Sequence, residues 1–266
     1  MDFSTPKIMG IVNLTPDSFF EGSRFQTEKG ILSQVEKMIR EGADIIDLGS
    51  FSSRPNADLI SQEKEQKRLI APLKSIVKEF PHVVLSIDTY RSDIAHQSIQ
   101  EGAHLINDIS GGNFDPRMFE TVQQLKVPYI LMHMQGEPKT MQHAPVYEDI
   151  FTEIYHSFSE RLANLVQLGI KDVILDVGFG FGKSLEHNYT LLKKLRYFHS
   201  LECPILVGLS RKGMIQKVIH ENAENALNGT TAAHVLALQN GANILRVHDV
   251  KAAKEACQIV DFYQKH

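Results

Sequence analysis

The stretch EGADIIDLG, residues 41–49, decides the fold, because it joins the end of a predicted helix to a predicted strand. Gly42 is a typical helix-ending residue, and the apolar run after it is of strand length. The same junction recurs as EGAHLINDI at 101–109 and NGANILRVH at 240–248, with a looser copy, LGIKDVILDVG, at 168–178. A repeated helix–glycine–strand unit indicates alternating helices and parallel strands.

Four further apolar runs complete a set of eight strand candidates: 7–12, 83–87, 128–132 and 204–209. Helical patterns fill the gaps between them, and residues 115–124 and 226–239 give two weaker ones. Eight alternations predict one (β/α)8 TIM barrel over residues 1–266, with the active site at the C-terminal ends of the strands. A doubly wound open sheet is the alternative, but no GxGxxG follows the first strand and no GxxxxGK[ST] occurs. The barrel is therefore preferred.

Composition is that of an ordinary globular protein, with 266 residues and a formal net charge of −4. No basic excess favours nucleic acid, and no apolar run approaches the roughly 18 residues of a membrane span. The chain enters its first predicted strand almost at once, which argues against a signal peptide. Cys203 and Cys257 lack metal-ligand spacing and are expected to be reduced core residues. We expect a cytoplasmic protein with neither nucleic-acid nor membrane partners.

Polar side chains collect where the predicted strands end. Asp176 ends an apolar run and precedes a glycine-rich loop, so we expect it to bind a ligand. Together with Asp88 and Asn107, it offers carboxylate and amide groups suited to a flat heterocycle with adjacent N–H donors. Each of those two residues on its own would equally well cap a helix. A pocket for a heterocycle is the stronger interpretation of the three together.

Positive charge collects at the same predicted edge and is suited to a phosphate or pyrophosphate; it comes from Arg54, Lys212, Arg246 and His248. Asn13 is a neutral oxygen donor for a Mg²⁺ shared with that anion. Phe181 could wall an apolar slot for a second, aromatic substrate. Residues expected to be structural are Asp47, Asp108, His104, His133 and His234, and Lys183 is expected to form a salt bridge behind the glycine loop.

Eight motifs carry a family resemblance: IMGIVNLTPDSF (8–19), SSRP (52–55), SIDT (86–89), INDISGG (106–112), LMHMQGEPKTMQ (131–142), LDVGFGFGK (175–183), LVGLSRK (206–212) and ILRVHDV (244–250). They span almost the whole chain, and several are long. On these motifs the chain resembles the dihydropteroate synthases of folate biosynthesis. The resemblance implies a barrel that condenses 6-hydroxymethyl-7,8-dihydropterin pyrophosphate with 4-aminobenzoate, with Mg²⁺ assisting, in a homodimer formed through late helices.

The resemblance also implies a role for each matching residue. The pterin would be held by Asp88, Asn107, Asp176, Lys212 and Met132, and the pyrophosphate by Asn13, Ser53, Arg246 and His248. The 4-aminobenzoate slot would be lined by Pro55, Phe181 and Lys212. Residues 15–19 and Arg54 would close over the reaction, so that Asp17, Arg54 and Lys212 are the expected catalytic residues, with Asn13 at the metal.

Several positions depart from the family pattern. Residues 49–56 read GSFSSRPN where the family usually has GGESTRPG, so Phe51 replaces an acid and Asn56 a glycine. Gly213 stands where many members have a serine that contacts the aminobenzoate carboxylate. Three alternatives stay open: a pterin-binding methyltransferase that serves a cobalt carrier, a non-catalytic paralogue, and an unrelated phosphate-binding hydrolase. The SSRP and RVHD segments argue against the first, because methyl transfer releases no pyrophosphate.

Overall fold

The computed structural model describes residues 2–14, 28–51, 60–136 and 145–266. Its strands are β1 (Lys7–Asn13), β2 (Ile45–Gly49), β3 (Val84–Asp88), β4 (Leu105–Asp108), β5 (Tyr129–Met132), β6 (Val173–Asp176), β7 (Ile205–Val207) and β8 (Ile244–Val247). They form a closed parallel barrel in chain order, with β8 paired to β1. The predicted (β/α)8 class is confirmed, and each predicted strand lies within a few residues of an observed one.

Helices follow the strands and cover the outside of the barrel: α1 (Glu28–Arg40), α2 (Gln62–Glu79), α3 (Ser92–Gln100), α4 (Met118–Leu125), α5 (Ile150–Gln167), α6 (Leu185–Lys194), α7 (Gly213–Ile219), α8 (Leu227–Gln239) and α9 (Val250–Lys265). A 3₁₀ helix, Leu195–Leu201, continues α6. Within the described ranges, no helix has both the length and the apolar character needed to cross a membrane.

The helix–glycine–strand junction has a simple conformational cause. Gly42 and Gly102 follow α1 and α3 with φ of +99° and +101°. This left-handed region is open to glycine at little cost, so glycine ends the helix and turns the chain toward the next strand. The sequence pattern therefore marks the points at which the chain re-enters the barrel.

Alternation along the strands divides the barrel interior into layers. An apolar cluster fills the middle of the barrel, formed by Met9, Ile45, Leu105, Ile130, Ile174, Leu206 and Ile244. Two residues further along the chain, on or just after six of these strands, the corresponding positions hold Asp47, Asn107, Met132, Asp176, Gly208 and Arg246. Four of these six residues are polar or charged, so the interior changes from apolar to mainly polar within two residues of each strand, and the candidate site lies at this polar layer.

Candidate functional site

Arg246 lies at the centre of the polar layer and joins two carboxylates. Its Nε donates to Asp47 Oδ2 at 2.7 Å, and its Nη2 donates to Asp88 Oδ2 at 2.7 Å. Asn107 Nδ2 donates to the same oxygen of Asp47 at 3.1 Å. Strands β2, β3, β4 and β8 are therefore connected by one hydrogen-bonded network. Asp47 was expected to be structural, and it contacts two of the predicted ligand residues.

The network leaves acceptors without partners. Asp47 Oδ1 and Asp88 Oδ1 are buried and have no hydrogen-bond partner among the described residues. Burial raises the pKa of Asp88 to about 7, against the opposing effect of Arg246 and with a further increase from Asp47. Buried polar atoms are normally paired, so an unpaired one calls for an explanation, such as a water, an ion or a ligand. These oxygens suit a ligand that brings N–H donors into the barrel.

Asp176 ends β6 and begins the glycine-rich loop. Its Oδ1 accepts a hydrogen bond from Gly178 N at 2.8 Å, and the side chain is buried. Burial raises its pKa, whereas the nearby Lys212 ammonium and the Gly178 N–H lower it. The loop therefore fixes one oxygen of this carboxylate at the edge of the polar layer.

Lys212 turns toward the β6 loop. It is the N-cap residue of α7, and its Nζ donates to Phe179 O at 2.5 Å. The same Nζ lies 4.7 Å from the ring centroid of Phe181. Burial lowers its pKa to about 8, and Asp176 acts in the opposite direction. The structure thus brings together Lys212, Phe181 and Asp176, which sequence analysis had assigned to adjoining parts of one site.

An apolar cluster adjoins the polar layer and includes two positions from the sequence analysis. Met132 is buried together with Phe51 and Tyr90, and Phe181 packs against this group. The Phe51 and Tyr90 rings meet edge to face with centroids 5.2 Å apart. Phe51 therefore has a packing role where the family usually has an acid. Gly213 also departs from the family pattern, and a Cβ added there would meet nothing within 4 Å.

Asn13 and His248 mark the outer edge of the described site. Asn13 ends β1, where it is half-buried, and His248 follows β8 and is exposed. The backbone N–H of His248 donates to Ser210 Oγ at 3.2 Å. Among the residues that the structure describes, no group of three or more His, Cys, Asp or Glu side chains is arranged to hold a metal.

Four predicted site residues, Asp17, Ser53, Arg54 and Pro55, lie outside the described residues, as does Asn56. The roles that the resemblance implies for them stay predictions.

Sequence reasoning missed one ion pair beside the site. Arg211 donates through Nε and Nη2 to the two oxygens of Asp249, at 2.7 and 3.0 Å. The pair joins the turn after β7 to the residue that follows His248. Opposite charges in LSRK and RVHD, at neighbouring strand ends, were the signal that could have predicted it.

The histidines expected to be structural are buried or bonded locally. His104 Nδ1 accepts from Leu85 N at 3.1 Å, and burial lowers the pKa of His234 to about 4. Burial, with Lys183 and Arg161, lowers the pKa of His133 to about 2, so this imidazole is neutral. Cys203 and Cys257 are both unpaired thiols, as expected.

Comparison with known proteins agrees with this geometry. Residues 9–248 match the family model described as pterin binding enzyme. The chain is 43% identical to the dihydropteroate synthase of Escherichia coli K12 over 263 residues, which covers 98% of this chain and 93% of that protein.

Solved structures give the same result. One is the Yersinia pestis dihydropteroate synthase with a sulfonamide drug complex (TM-score 0.95, 40% identity). The alignment covers 100% of this chain and 97% of that one. Another is the Xanthomonas albilineans dihydropteroate synthase in complex with 7,8-dihydropteroate (TM-score 0.89, 34% identity). The alignment covers 100% of this chain and 96% of that one. The chain therefore belongs to the dihydropteroate synthases, within the pterin-binding enzyme family.

Proposed function

We propose that this protein condenses 6-hydroxymethyl-7,8-dihydropterin pyrophosphate with 4-aminobenzoate, to give 7,8-dihydropteroate and pyrophosphate in folate biosynthesis. The observation that carries the proposal is the polar layer next to the apolar cluster in the middle of the barrel. This layer holds Asp88, Asn107 and Asp176, and among the described residues Asp47 Oδ1 and Asp88 Oδ1 are buried there without a hydrogen-bond partner. The similarity to enzymes of this activity extends over nearly the whole chain.

The pterin would enter the polar layer with its amino-pyrimidine edge toward Asp176. A carboxylate facing adjacent N–H donors accepts two parallel bonds, which is a strong and directional arrangement. Asp88 and Asn107 would meet the other polar atoms of the ring, and Met132 would contact its face. The displacement builds positive charge on the dihydropterin, and a carboxylate at Asp176 stabilises that charge.

The pyrophosphate would lie toward the outer edge, at Arg246, His248, Asn13 and Ser53. The Arg246 guanidinium has five N–H donors, and its bonds to Asp47 and Asp88 leave some of them for a phosphate oxygen. Positive groups at this edge favour departure of the anion.

The donor set at Asn13 fits Mg²⁺, because this ion is usually held by few protein oxygens together with substrate phosphates and water. When bound, Mg²⁺ would add positive charge beside the leaving pyrophosphate. The chain's own contribution there is the amide oxygen of Asn13, presented at the end of β1.

The 4-aminobenzoate would occupy a slot between Phe181, Pro55 and Lys212. Its amine nitrogen attacks the exocyclic methylene carbon of the pterin, the C–N bond forms, and the C–O electron pair leaves with the pyrophosphate. The amine then loses one proton. The role of the protein is to align the two reactants and stabilise charge on both fragments, with Asp17 and Arg54 closing over them.

Homodimerisation and a cytoplasmic location are part of the same proposal. Support for the dimer comes from exposed apolar side chains on α8 and α9, and support for the compartment comes from two unpaired cysteines.

The test is to incubate the purified protein with both substrates and Mg²⁺ and to measure pyrophosphate release. Release that depends on 4-aminobenzoate supports a synthase, and its absence would favour a non-catalytic pterin-binding protein. Asp176→Asn tests the central residue, because it puts an amide donor where an acceptor is needed. Leaving a buried donor unpaired costs about 2 kcal/mol, so pterin affinity should fall roughly 30-fold. Normal binding and turnover by this variant would contradict the assignment of Asp176.

A further inference from the structure

Lys183 closes the glycine-rich loop and is almost fully buried, with 3% of its surface exposed. Its Nζ donates to Phe181 O at 2.9 Å and to His133 O at 3.3 Å, and it lies 3.2 Å from His133 Nδ1. An ammonium has three donors, and these three atoms are within hydrogen-bonding distance of Nζ. Burial lowers the pKa of Lys183 to about 7, and Asp176 acts in the opposite direction. Where sequence analysis expected a salt bridge, the partners are two carbonyls and a neutral imidazole.

The two segments that Lys183 joins are in direct backbone contact. A Cβ on Gly178 would stand 2.0 Å from His133 O, and a Cβ on Gly182 would stand 2.4 Å from Gln135 O. Only glycine allows this approach, so the loop after β6 lies flat against the segment that leaves β5. Lys183 bonds across this contact.

A second lysine holds the same loop from the other side. Lys212 Nζ bonds to Phe179 O, and Lys183 Nζ bonds to Phe181 O. Alternate carbonyls of the loop are therefore anchored by two different ammonium groups. The Phe181 ring projects from the segment between these anchors, 4.7 Å from Lys212 Nζ.

We propose that Lys183 is a positioning residue for the second substrate. It holds the Phe181 carbonyl against the segment that follows β5, and so fixes the position of the Phe181 ring, which lines the aminobenzoate slot. The inference rests on the proposed function, in which Phe181 lines that slot. Asp176 is held in place by its own strand and by Gly178 N, and Lys183 acts on it only through its charge, which lowers the pKa of that carboxyl less than Lys212 does. Loss of the Lys183 bonds should therefore affect aminobenzoate more than pterin.

The variant Lys183→Met tests this, because it keeps the length of the aliphatic stem and removes the three donors. The matched control is Lys193→Met, at an exposed lysine on α6. Three quantities are compared with the parent: amide hydrogen exchange of residues 178–182 without substrate, the Kd of the pterin pyrophosphate, and the KM for 4-aminobenzoate against kcat.

We expect faster exchange in the loop, a KM for 4-aminobenzoate raised about tenfold, and a pterin Kd within about threefold of the parent, since small misplacements of a binding wall weaken catalysis strongly. Lys193→Met should change none of these. Unchanged exchange and KM in a folded Lys183→Met protein would overturn the proposal, and so would equal losses for both substrates, which indicate general collapse of the loop.

Two further results separate this inference from the proposed function. If the parent releases no pyrophosphate, the proposed function fails, whereas loop exchange still decides whether Lys183 anchors Phe181. If Lys183→Met does not fold, Lys183→Arg keeps the charge but cannot direct three donors from one atom. A normal KM for that variant would overturn the proposal, and a raised KM with unchanged pterin Kd supports it.

Discussion

Asp88 is buried beside a second carboxylate, that of Asp47, and one guanidinium serves both. Burial raises its pKa from 3.8 to about 7. Between these values the unfolded chain has lost the proton and the folded chain retains it. Because the folded state binds more protons there, the contribution of Asp88 to the unfolding free energy falls as pH rises from about 4 to about 7.

Asp88→Asn removes this titration and keeps the shape of the side chain. We therefore expect the unfolding free energy of the parent, minus that of the variant, to decrease between pH 4.5 and 7 and then to level. Urea unfolding at several pH values measures the difference, and groups such as His133 and His234 largely cancel because both proteins contain them. A difference that stays constant with pH would show that Asp88 ionises normally in the folded protein.

At the scale of elements, the loop after β6 depends on backbone contact at glycine. Gly178 and Gly169 both have positive φ, +67° and +78°, so alanine brings a similar strain of about 1 kcal/mol to each. At Gly178 the new Cβ would also meet the His133 carbonyl at 2.0 Å, whereas at Gly169 it would meet nothing within 4 Å. Gly169→Ala is thus a matched control for the collision.

We expect Gly169→Ala to cost about 1 kcal/mol and Gly178→Ala about 3 kcal/mol, because a forced close contact adds roughly 1–3 kcal/mol to the strain. Denaturant unfolding measures both. Pterin binding should weaken only for Gly178→Ala, since its loop carries Asp176. A similar loss of unfolding free energy at the two positions would mean that the loop after β6 can move away from the segment after β5 without further destabilisation.

The elements that the sequence predicted well are those with local signals. Apolar strand runs and the glycines that end helices are visible in short windows, so the junction at 41–49 predicted its strand closely. Helix α7, Gly213–Ile219, spans two turns and is too short for a periodic signal. Helix α8 buries a single face, but this face includes the polar residues Thr230 and His234, and the opposite side exposes Leu236, so its amphipathic pattern is weak.

At the scale of the whole molecule, the barrel converts scattered strand ends into one site. Asp47 and Arg246 are 199 residues apart, and the closure of β8 onto β1 brings them within hydrogen-bonding distance. The barrel fold predicts that residues at the C-terminal ends of the strands lie at the same end of the barrel, but it does not predict which of their side chains form hydrogen bonds with one another. The Lys183–His133 contact, which spans 50 residues, was missed for this reason, because pairing depends on loop geometry.

The outer surface of the late helices carries the last prediction. Ile259, Phe262 and Tyr263 on α9 are each about two-thirds exposed, at 67, 67 and 68%, and their spacing places them on one face. Helix α8 packs against α9 and exposes Leu236. Exposed apolar side chains on one face of a helix are typical of a protein–protein interface, and a second copy of the chain is the partner that the family resemblance implies.

Phe262→Glu places a charge in the middle of this face, where a dimer would have to bury it without a partner. We expect the parent to be a dimer by light scattering and Phe262→Glu to be a monomer that keeps the parent's circular dichroism, because the side chain is solvent-exposed in the single chain. Tyr197→Glu is the control, since Tyr197 is similarly exposed, at 58%, but lies in the 3₁₀ helix after α6. If Phe262→Glu remains a dimer, or if Tyr197→Glu dissociates to the same extent, the dimer interface does not lie on this face of α9. A monomeric parent would contradict the prediction of a dimer altogether.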